Sequence, residues 1–114
     1  MPPWYEVVPQ VHATTLEDWQ HLNELVGEMQ SERMQLTPEL KKKAEVLTAD
    51  AQTDAGKTAA LYHWVQKNVR YISVKSSLSS GWAGHPAAET LAQGYGDCTD
   101  KSILFATLLR AVGI

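Results

Sequence analysis

The sequence has little cysteine and no long apolar segment. Its single cysteine, Cys98, excludes an internal disulfide and a zinc site built from several cysteines. No run of roughly 18 or more apolar residues occurs, so we expect no membrane segment in this chain. The segment 1–6 lacks a basic stretch followed by an apolar one and therefore does not resemble a signal peptide.

Motifs for metals, cofactors and nucleic acids are also absent from the sequence. Four scattered histidines and one cysteine have no metal-ligand spacing. No glycine-rich phosphate loop occurs. The basic run Lys41-Lys42-Lys43 lies between Glu39 and Glu45, which is typical of an exposed helix face rather than of a nucleic-acid patch. We therefore expect no metal, no cofactor and no nucleic-acid partner.

The composition fits one domain with a packed core. The chain has 114 residues, of which 44% are hydrophobic. The formal net charge of −3 is distributed unevenly, because residues 1–55 carry −6 and residues 56–114 carry +3. We interpret the acidic half as a solvated face on the first helices.

Apolar periodicity predicts a mainly α-helical chain, with about five helices and at most a short strand. The first helix is predicted over about 15–33, and Thr14 and Thr15 resemble the start of a capping box. The β-branched segment 69–74 favours a short strand after the third helix.

The starts of the next three helices are marked by capping residues and prolines. Thr37-Pro38 predicts the start of the second helix, and Thr53 predicts the start of the third. Pro86 opens a short helix that is predicted to end near Gly94. A Ser/Gly-rich loop precedes that short helix, and loops of this length often line a site.

The helix that begins at Cys98 is the most apolar part of the chain. It follows residues 95–97, which are predicted to form a tight turn. Its apolar residues cover almost the whole circumference, a pattern typical of a central helix buried on every side. These residues are Ile103, Leu104, Phe105, Ala106, Leu108, Leu109, Ala111 and Val112.

Cys98 is predicted to be the first residue of that helix, and this position changes the reactivity of a cysteine side chain. The unpaired backbone N–H groups and the helix dipole favour a thiolate over a thiol. The same N–H groups can serve as an oxyanion hole in acyl transfer. Asp97 adds a like charge that opposes the thiolate, unless its carboxylate caps the helix. The alternative is an inert, buried cysteine.

Three segments of the chain resemble one known superfamily. Residues 95–102 (YGDCTDKS), which continue into the apolar helix, resemble the nucleophile segment of bacterial transglutaminase-like proteins. Residues 60–71 are similar to the helix that precedes that segment, and residues 86–91 to the small connecting helix. The resemblance covers roughly residues 38–114, and the combination is more specific than any one string.

The resemblance implies a papain-like α+β parent domain with a cysteine nucleophile. It makes Cys98 that nucleophile, with its own backbone N–H donating to the oxyanion. A histidine and an aspartate would follow on sheet strands and complete the triad. The substrate would be a protein or peptide whose amide or acyl group forms a thioester, which an amine or water then resolves. The resemblance also suggests the bacterial cell envelope or periplasm, although the sequence itself assigns no localisation.

The sequence departs from this pattern after Cys98. Only Asp100 follows it among the acids, and no histidine does, since the four histidines are His12, His21, His63 and His85. We therefore expect a truncated piece of a longer protein that is inactive by itself.

The expected truncation also defines two segments. Residues 1–36 would be a leader, holding the end of an accessory β-rich domain and a first helix, and residues 37–114 the N-terminal helical half of the catalytic domain.

Exposing large apolar side chains costs about 1.5–3 kcal/mol each. We therefore expect self-association, as a face-to-face dimer or by helix exchange. The side chains concerned are Leu104, Phe105, Leu108 and Leu109.

Three further residues are candidates for lining the substrate cleft, namely Trp82, His85 and Tyr95. His85 is also the histidine nearest in sequence to Cys98 that could substitute for the missing base. Two other interpretations remain open. In the first, the chain is a noncatalytic helical binding or scaffold module that kept the fold. In the second, it belongs to a cysteine peptidase or amidase, since fold resemblance does not separate transfer from hydrolysis.

Overall fold

The structure is a computed structural model and describes residues 9, 11, 13–73 and 83–114. Within these residues the chain forms five α-helices and one two-stranded sheet, which confirms the mainly α prediction. In chain order the elements are α1 (Trp19–Arg33), α2 (Pro38–Leu47), α3 (Asp54–Asn68), β1 (Arg70–Tyr71), α4 (Ala87–Gln93), β2 (Tyr95–Gly96) and α5 (Cys98–Ala111).

Hydroxyl caps begin α2 and α3 at the predicted positions. Thr37 Oγ1 accepts the backbone N–H of Leu40 at 3.3 Å, and Pro38 follows as the first helical residue. Thr53 Oγ1 accepts the N–H of Gly56 at 3.1 Å. Each hydroxyl satisfies one of the N–H groups that a helix start leaves unpaired, and both predicted starts are therefore confirmed.

The predicted start of α1 is wrong by several residues. The helix begins at Trp19, and Asp18 caps it by accepting the N–H of His21 at 2.8 Å. Thr14 Oγ1 accepts the N–H of Leu16 at 3.1 Å instead of capping a helix. A short polar side chain that bonds two residues ahead offers the backbone an alternative to the helix, so the helix starts after it.

Helix α5 lies at the centre of the core, but it is not buried on every side as its apolar pattern predicts, because Phe105 and Leu109 are half-buried and Arg110 is exposed. It packs against α2, α3 and α4. The buried apolar core consists of Leu40, Ala44, Leu61, Val65, Val69, Ala87, Ile103, Leu104 and Leu108. Helix α1 differs from the others, because none of its residues is buried and Trp19 is 84% exposed.

The expectation that α5 leaves four large residues uncovered is wrong for two of them. Leu104 and Leu108 are fully buried, because the chain's own helices α2, α3 and α4 surround them. Phe105 and Leu109 are half-buried. The apolar surface available for self-association is therefore smaller than the sequence predicts.

The two short strands run parallel and carry the chain to the start of α5. Arg70 pairs with Tyr95, its backbone N–H donates to the Gly94 carbonyl at 2.8 Å, and the next ladder bond is formed two residues further on. Gly94 ends α4 with a left-handed φ of 71°, which glycine adopts readily. The tight turn predicted over 95–97 is wrong, because the backbone groups there bond to a strand twenty-five residues earlier. The predicted strand in 69–74 is confirmed as β1.

The helices of the described segments are too short or too polar to cross a lipid bilayer. This agrees with the absence of a long apolar run from the sequence.

Candidate active site at the start of helix α5

Cys98 is the first residue of α5 and its side chain is exposed. The alternative of a buried cysteine is therefore wrong for Cys98. Ser102, one turn further along α5, donates its hydroxyl to the Cys98 carbonyl at 2.7 Å. The thiol itself has no hydrogen-bond partner among the described residues. The geometry therefore presents the sulfur to an incoming group at the positive end of the helix dipole.

The Asp97 carboxylate caps α5, which is the alternative that the sequence left open for it. Its Oδ1 accepts the N–H of Thr99 at 2.8 Å and the N–H of Asp100 at 3.1 Å. Its carbonyl accepts the N–H of Lys101 at 3.0 Å. In the first turn, the N–H of Cys98 is then the one without a partner in the described part of the chain. A donor without a partner beside the thiol suits an oxyanion.

The Asp100 carboxylate bonds two backbone segments, at His85 and at Asp97, to the first turn of α5. Asp100 lies on the core face of α5 and is 4% exposed. Its Oδ1 accepts the backbone N–H of His85 at 2.7 Å, and the imidazole Nδ1 of His85 lies 3.1 Å from the same oxygen. Its Oδ2 accepts the N–H of Asp97 at 3.0 Å. We call Asp97, His85 and Asp100, joined by these bonds, the carboxylate clasp.

The clasp changes the acidity of Asp100. Burial alone raises the pKa of a carboxyl group, because it disfavours the charged form. The N–H groups of His85 and Asp97 and the imidazole of His85 oppose that effect, and together they hold the pKa of Asp100 below its ordinary value. Asp100 is therefore an ionised acceptor at neutral pH, and the bond from His85 uses Nδ1–H as its donor.

Two glycines make room for the clasp. A Cβ on Gly96 would lie 2.6 Å from the Cβ of Asp100, closer than real carbon atoms approach. Gly84 has a φ of +74°, and a Cβ there would lie 3.0 Å from Asp100 Oδ1. Backbone on both sides therefore closes over the carboxylate only because these positions lack side chains.

His85 and Tyr95, two of the residues predicted to line a cleft, share a cleft of about 340 Å³. The described residues that line it are Ile72, His85, Gln93, Tyr95, Gly96 and Asp100. Cys98 is not among them, because residues two apart in a helix point about 200° away from each other. Trp82, the third candidate, lies outside the described residues.

The prediction that His85 could serve as the base for Cys98 has no support in the geometry. Its Nδ1 is engaged with Asp100, and no hydrogen bond joins it to the thiol. The pairing of His85 with Asp100 was not predicted from the sequence, because the two residues lie fifteen positions apart. One feature of the sequence indicated that Asp100 would need a hydrogen-bond partner. Asp100 precedes Ile103 and Leu104 at helical spacing, so it lies on the buried stripe, and a buried carboxylate needs partners.

No cluster of three or more histidine, cysteine, aspartate or glutamate side chains suited to a metal occurs in the described segments.

The second and larger part of the chain matches a known protein family. A family model described as the transglutaminase-like superfamily matches residues 41–114. No curated protein matches the chain. No solved structure matches it either.

Proposed function

This chain belongs to the transglutaminase-like superfamily, and on that premise we propose that Cys98 is the nucleophile of a cysteine acyl-transfer reaction. The family match indicates a fold of the cysteine-enzyme type, and the matched region contains all of α5. The observation that carries the proposal is the start of α5, where an exposed thiol lies beside its own N–H group, which has no partner among the described residues.

The proposed reaction begins when the Cys98 sulfur attacks the carbonyl carbon of an amide. A carbon–sulfur bond forms, the carbonyl oxygen becomes an oxyanion, and the Cys98 N–H donates to it. The carbon–nitrogen bond then breaks and the amine leaves with a proton, so that a thioester remains on the protein. Attack by a second amine completes a transfer, and attack by water completes a hydrolysis.

A base is needed to take the proton from the thiol, and the protonated base then gives that proton to the leaving amine. Among the described residues no histidine hydrogen-bonds to the Cys98 sulfur. His85 is held by Asp100, and His63 packs its ring edge-on against Tyr62. We propose that the triad histidine and aspartate implied by the family resemblance belong to a longer protein and lie outside residues 1–114. We also propose residues 1–36 as a leader to a domain that occupies residues 37–114.

The experiment uses an activated ester, because a thiolate attacks it without help from a base. The protein is incubated at mildly alkaline pH with p-nitrophenyl acetate, and peptide mass spectrometry locates the acetyl group. We expect a thioester on Cys98, and we expect Cys98→Ser to show none. Adding methylamine should then release N-methylacetamide and restore the thiol.

A second variant controls for ordinary thiol reactivity. Ser31 is exposed on α1, away from any helix start, so Cys98→Ser/Ser31→Cys has one thiol without neighbouring N–H donors. Faster acetylation of Cys98 than of the control thiol supports the proposal. Acetylation of the control thiol alone would contradict it and would favour the noncatalytic scaffold interpretation.

A further inference from the structure

We propose that Asp100 is a positioning residue for the acylation of Cys98, because it fixes the peptide unit that carries the Cys98 N–H donor. This inference rests on the proposed function and adds a residue to it. Asp100 acts through the backbone and not on the substrate, since its side chain lies buried on the face of α5 opposite the thiol.

The residue before the nucleophile sets the direction of the donor. The peptide plane that carries the Cys98 N–H is set by the backbone angles of Asp97, which has a φ of −85° and a ψ of −170°. Asp97 is held from both sides. Its backbone N–H donates to Asp100 Oδ2, and its carboxylate accepts the N–H groups of Thr99 and Asp100. This reciprocal capping box leaves Asp97 little freedom to turn.

The other oxygen of Asp100 is held by His85. Oδ1 accepts the His85 backbone N–H at 2.7 Å and lies 3.1 Å from the imidazole Nδ1. These two donors hold the carboxylate in the orientation in which Oδ2 accepts the backbone N–H of Asp97. The segment at His85 and the segment at Asp97 are therefore fixed to the same side chain, and movement of one is resisted by the other.

The position of an oxyanion donor has a large effect on the rate of acyl transfer. Losing one oxyanion donor typically slows acyl transfer by roughly 100- to 1000-fold, and misplacement of a group by about 1 Å can cost about 100-fold. A carboxylate that fixes the donor's peptide plane therefore affects the rate without touching the substrate. The close fit of Gly96 and Gly84 around Asp100 shows that the backbone is shaped to this carboxylate.

The test compares two reactions of the same thiol. Acetylation by p-nitrophenyl acetate passes through an oxyanion, whereas alkylation by iodoacetamide displaces iodide and forms none. Dividing the first rate constant by the second cancels changes in thiolate fraction and in access. In Asp100→Asn an NH₂ group replaces one acceptor oxygen, so one set of backbone N–H donors loses its partner. We expect the ratio to fall by about tenfold or more.

Two further variants separate positioning from general destabilisation. Leu61→Ala removes a fully buried core side chain on α3, and we expect it to lower the melting temperature while leaving the ratio unchanged. His85→Ala retains the backbone bond to Asp100 but loses the imidazole contact, so we expect a smaller fall, about threefold. If Asp100→Asn does not fold, His85→Ala supplies the measurement.

The outcomes distinguish this inference from the proposed function. A wild-type ratio above that of the Cys98→Ser/Ser31→Cys control, with an equal ratio in Asp100→Asn, would overturn the positioning role and leave Cys98 as the nucleophile. An equal fall in Leu61→Ala would also overturn it, since the effect would then follow stability. A wild-type ratio no higher than the control's would contradict the proposed function itself.

Discussion

Asp100 illustrates what a carboxylate requires when helical spacing places it on the core face. A buried charge is costly unless it is paired and hydrogen-bonded. Here both oxygens have donors, from two backbone segments and one imidazole. The position of Asp100 on the buried stripe could be predicted from the spacing, but its partner His85 could not. That pairing depends on how the chain between them returns to α5.

The ionisation of Asp100 should make stability depend on pH. Its pKa lies below the ordinary value in the folded protein, so the ionised form stabilises the fold. This contribution is complete above the unfolded pKa of about 3.9 and is lost as pH falls through the folded value. We expect the stability difference between the wild type and Asp100→Asn to be larger at pH 6 than at pH 3, measured by urea unfolding. An equal difference at both pH values would contradict the role of the charge.

Gly96 should tolerate no side chain. The added Cβ of Gly96→Ala would meet the Cβ of Asp100 at 2.6 Å, so the clasp must shift. We expect a loss of about 1–3 kcal/mol in the free energy of unfolding. Gly27→Ala is the matched control, because a Cβ there has nothing within 4 Å and a helix interior favours alanine over glycine. Equal destabilisation by both changes would contradict the close-contact explanation.

At the scale of elements, the sequence predicts the features that depend on hydrogen bonds between residues close together in the chain. The starts of α2 and α3 follow from one hydroxyl and the N–H three residues ahead, so the sequence alone sufficed. The start of Cys98's helix was likewise predicted. Strand β2 was predicted as a turn, because its hydrogen bonds go to β1, and no local pattern reveals a two-residue parallel pairing. The apolar stripe of α1 predicted a helix, but neither its start nor how much of it is buried.

Core and peripheral helices should respond differently to the loss of a large side chain. Leu104 is fully buried in α5, so Leu104→Ala should cost about 2–5 kcal/mol in unfolding free energy. Trp19 is 84% exposed at the start of α1, and Trp19→Ala should stay within about 0.5 kcal/mol of the wild type. Thermal and urea unfolding followed by circular dichroism would show this. A comparable loss for both variants would mean that α1 contributes to the cooperative core.

At the scale of the whole molecule, α5 serves both stability and the proposed chemistry. Its buried face forms the centre of the core, and its first turn carries Cys98. Unfolding of the core would therefore also disrupt the arrangement of backbone groups around the Cys98 thiol. The family resemblance implies a triad histidine after Cys98 in the chain, and this sequence contains no histidine after Cys98.

Self-association remains a prediction, now confined to a smaller surface. Phe105 and Leu109 are half-buried, and Phe105 packs edge-on against the exposed Tyr62 with the ring centroids 6.0 Å apart. We expect association only at high concentration, and we expect Phe105→Gln to weaken it. Sedimentation velocity over a concentration series would measure both. A compact monomer at every concentration for the wild type would contradict the prediction.

In the proposed function, the start of α5 makes Cys98 an acylation nucleophile with its own oxyanion donor. The most direct measurement is the ratio of the acetylation rate constant to the alkylation rate constant for the wild-type thiol. The reference is the same ratio for the thiol of Cys98→Ser/Ser31→Cys. We expect the wild-type ratio to be higher by about tenfold or more, because only acetylation uses the N–H donor. Equal ratios would contradict this role of Cys98.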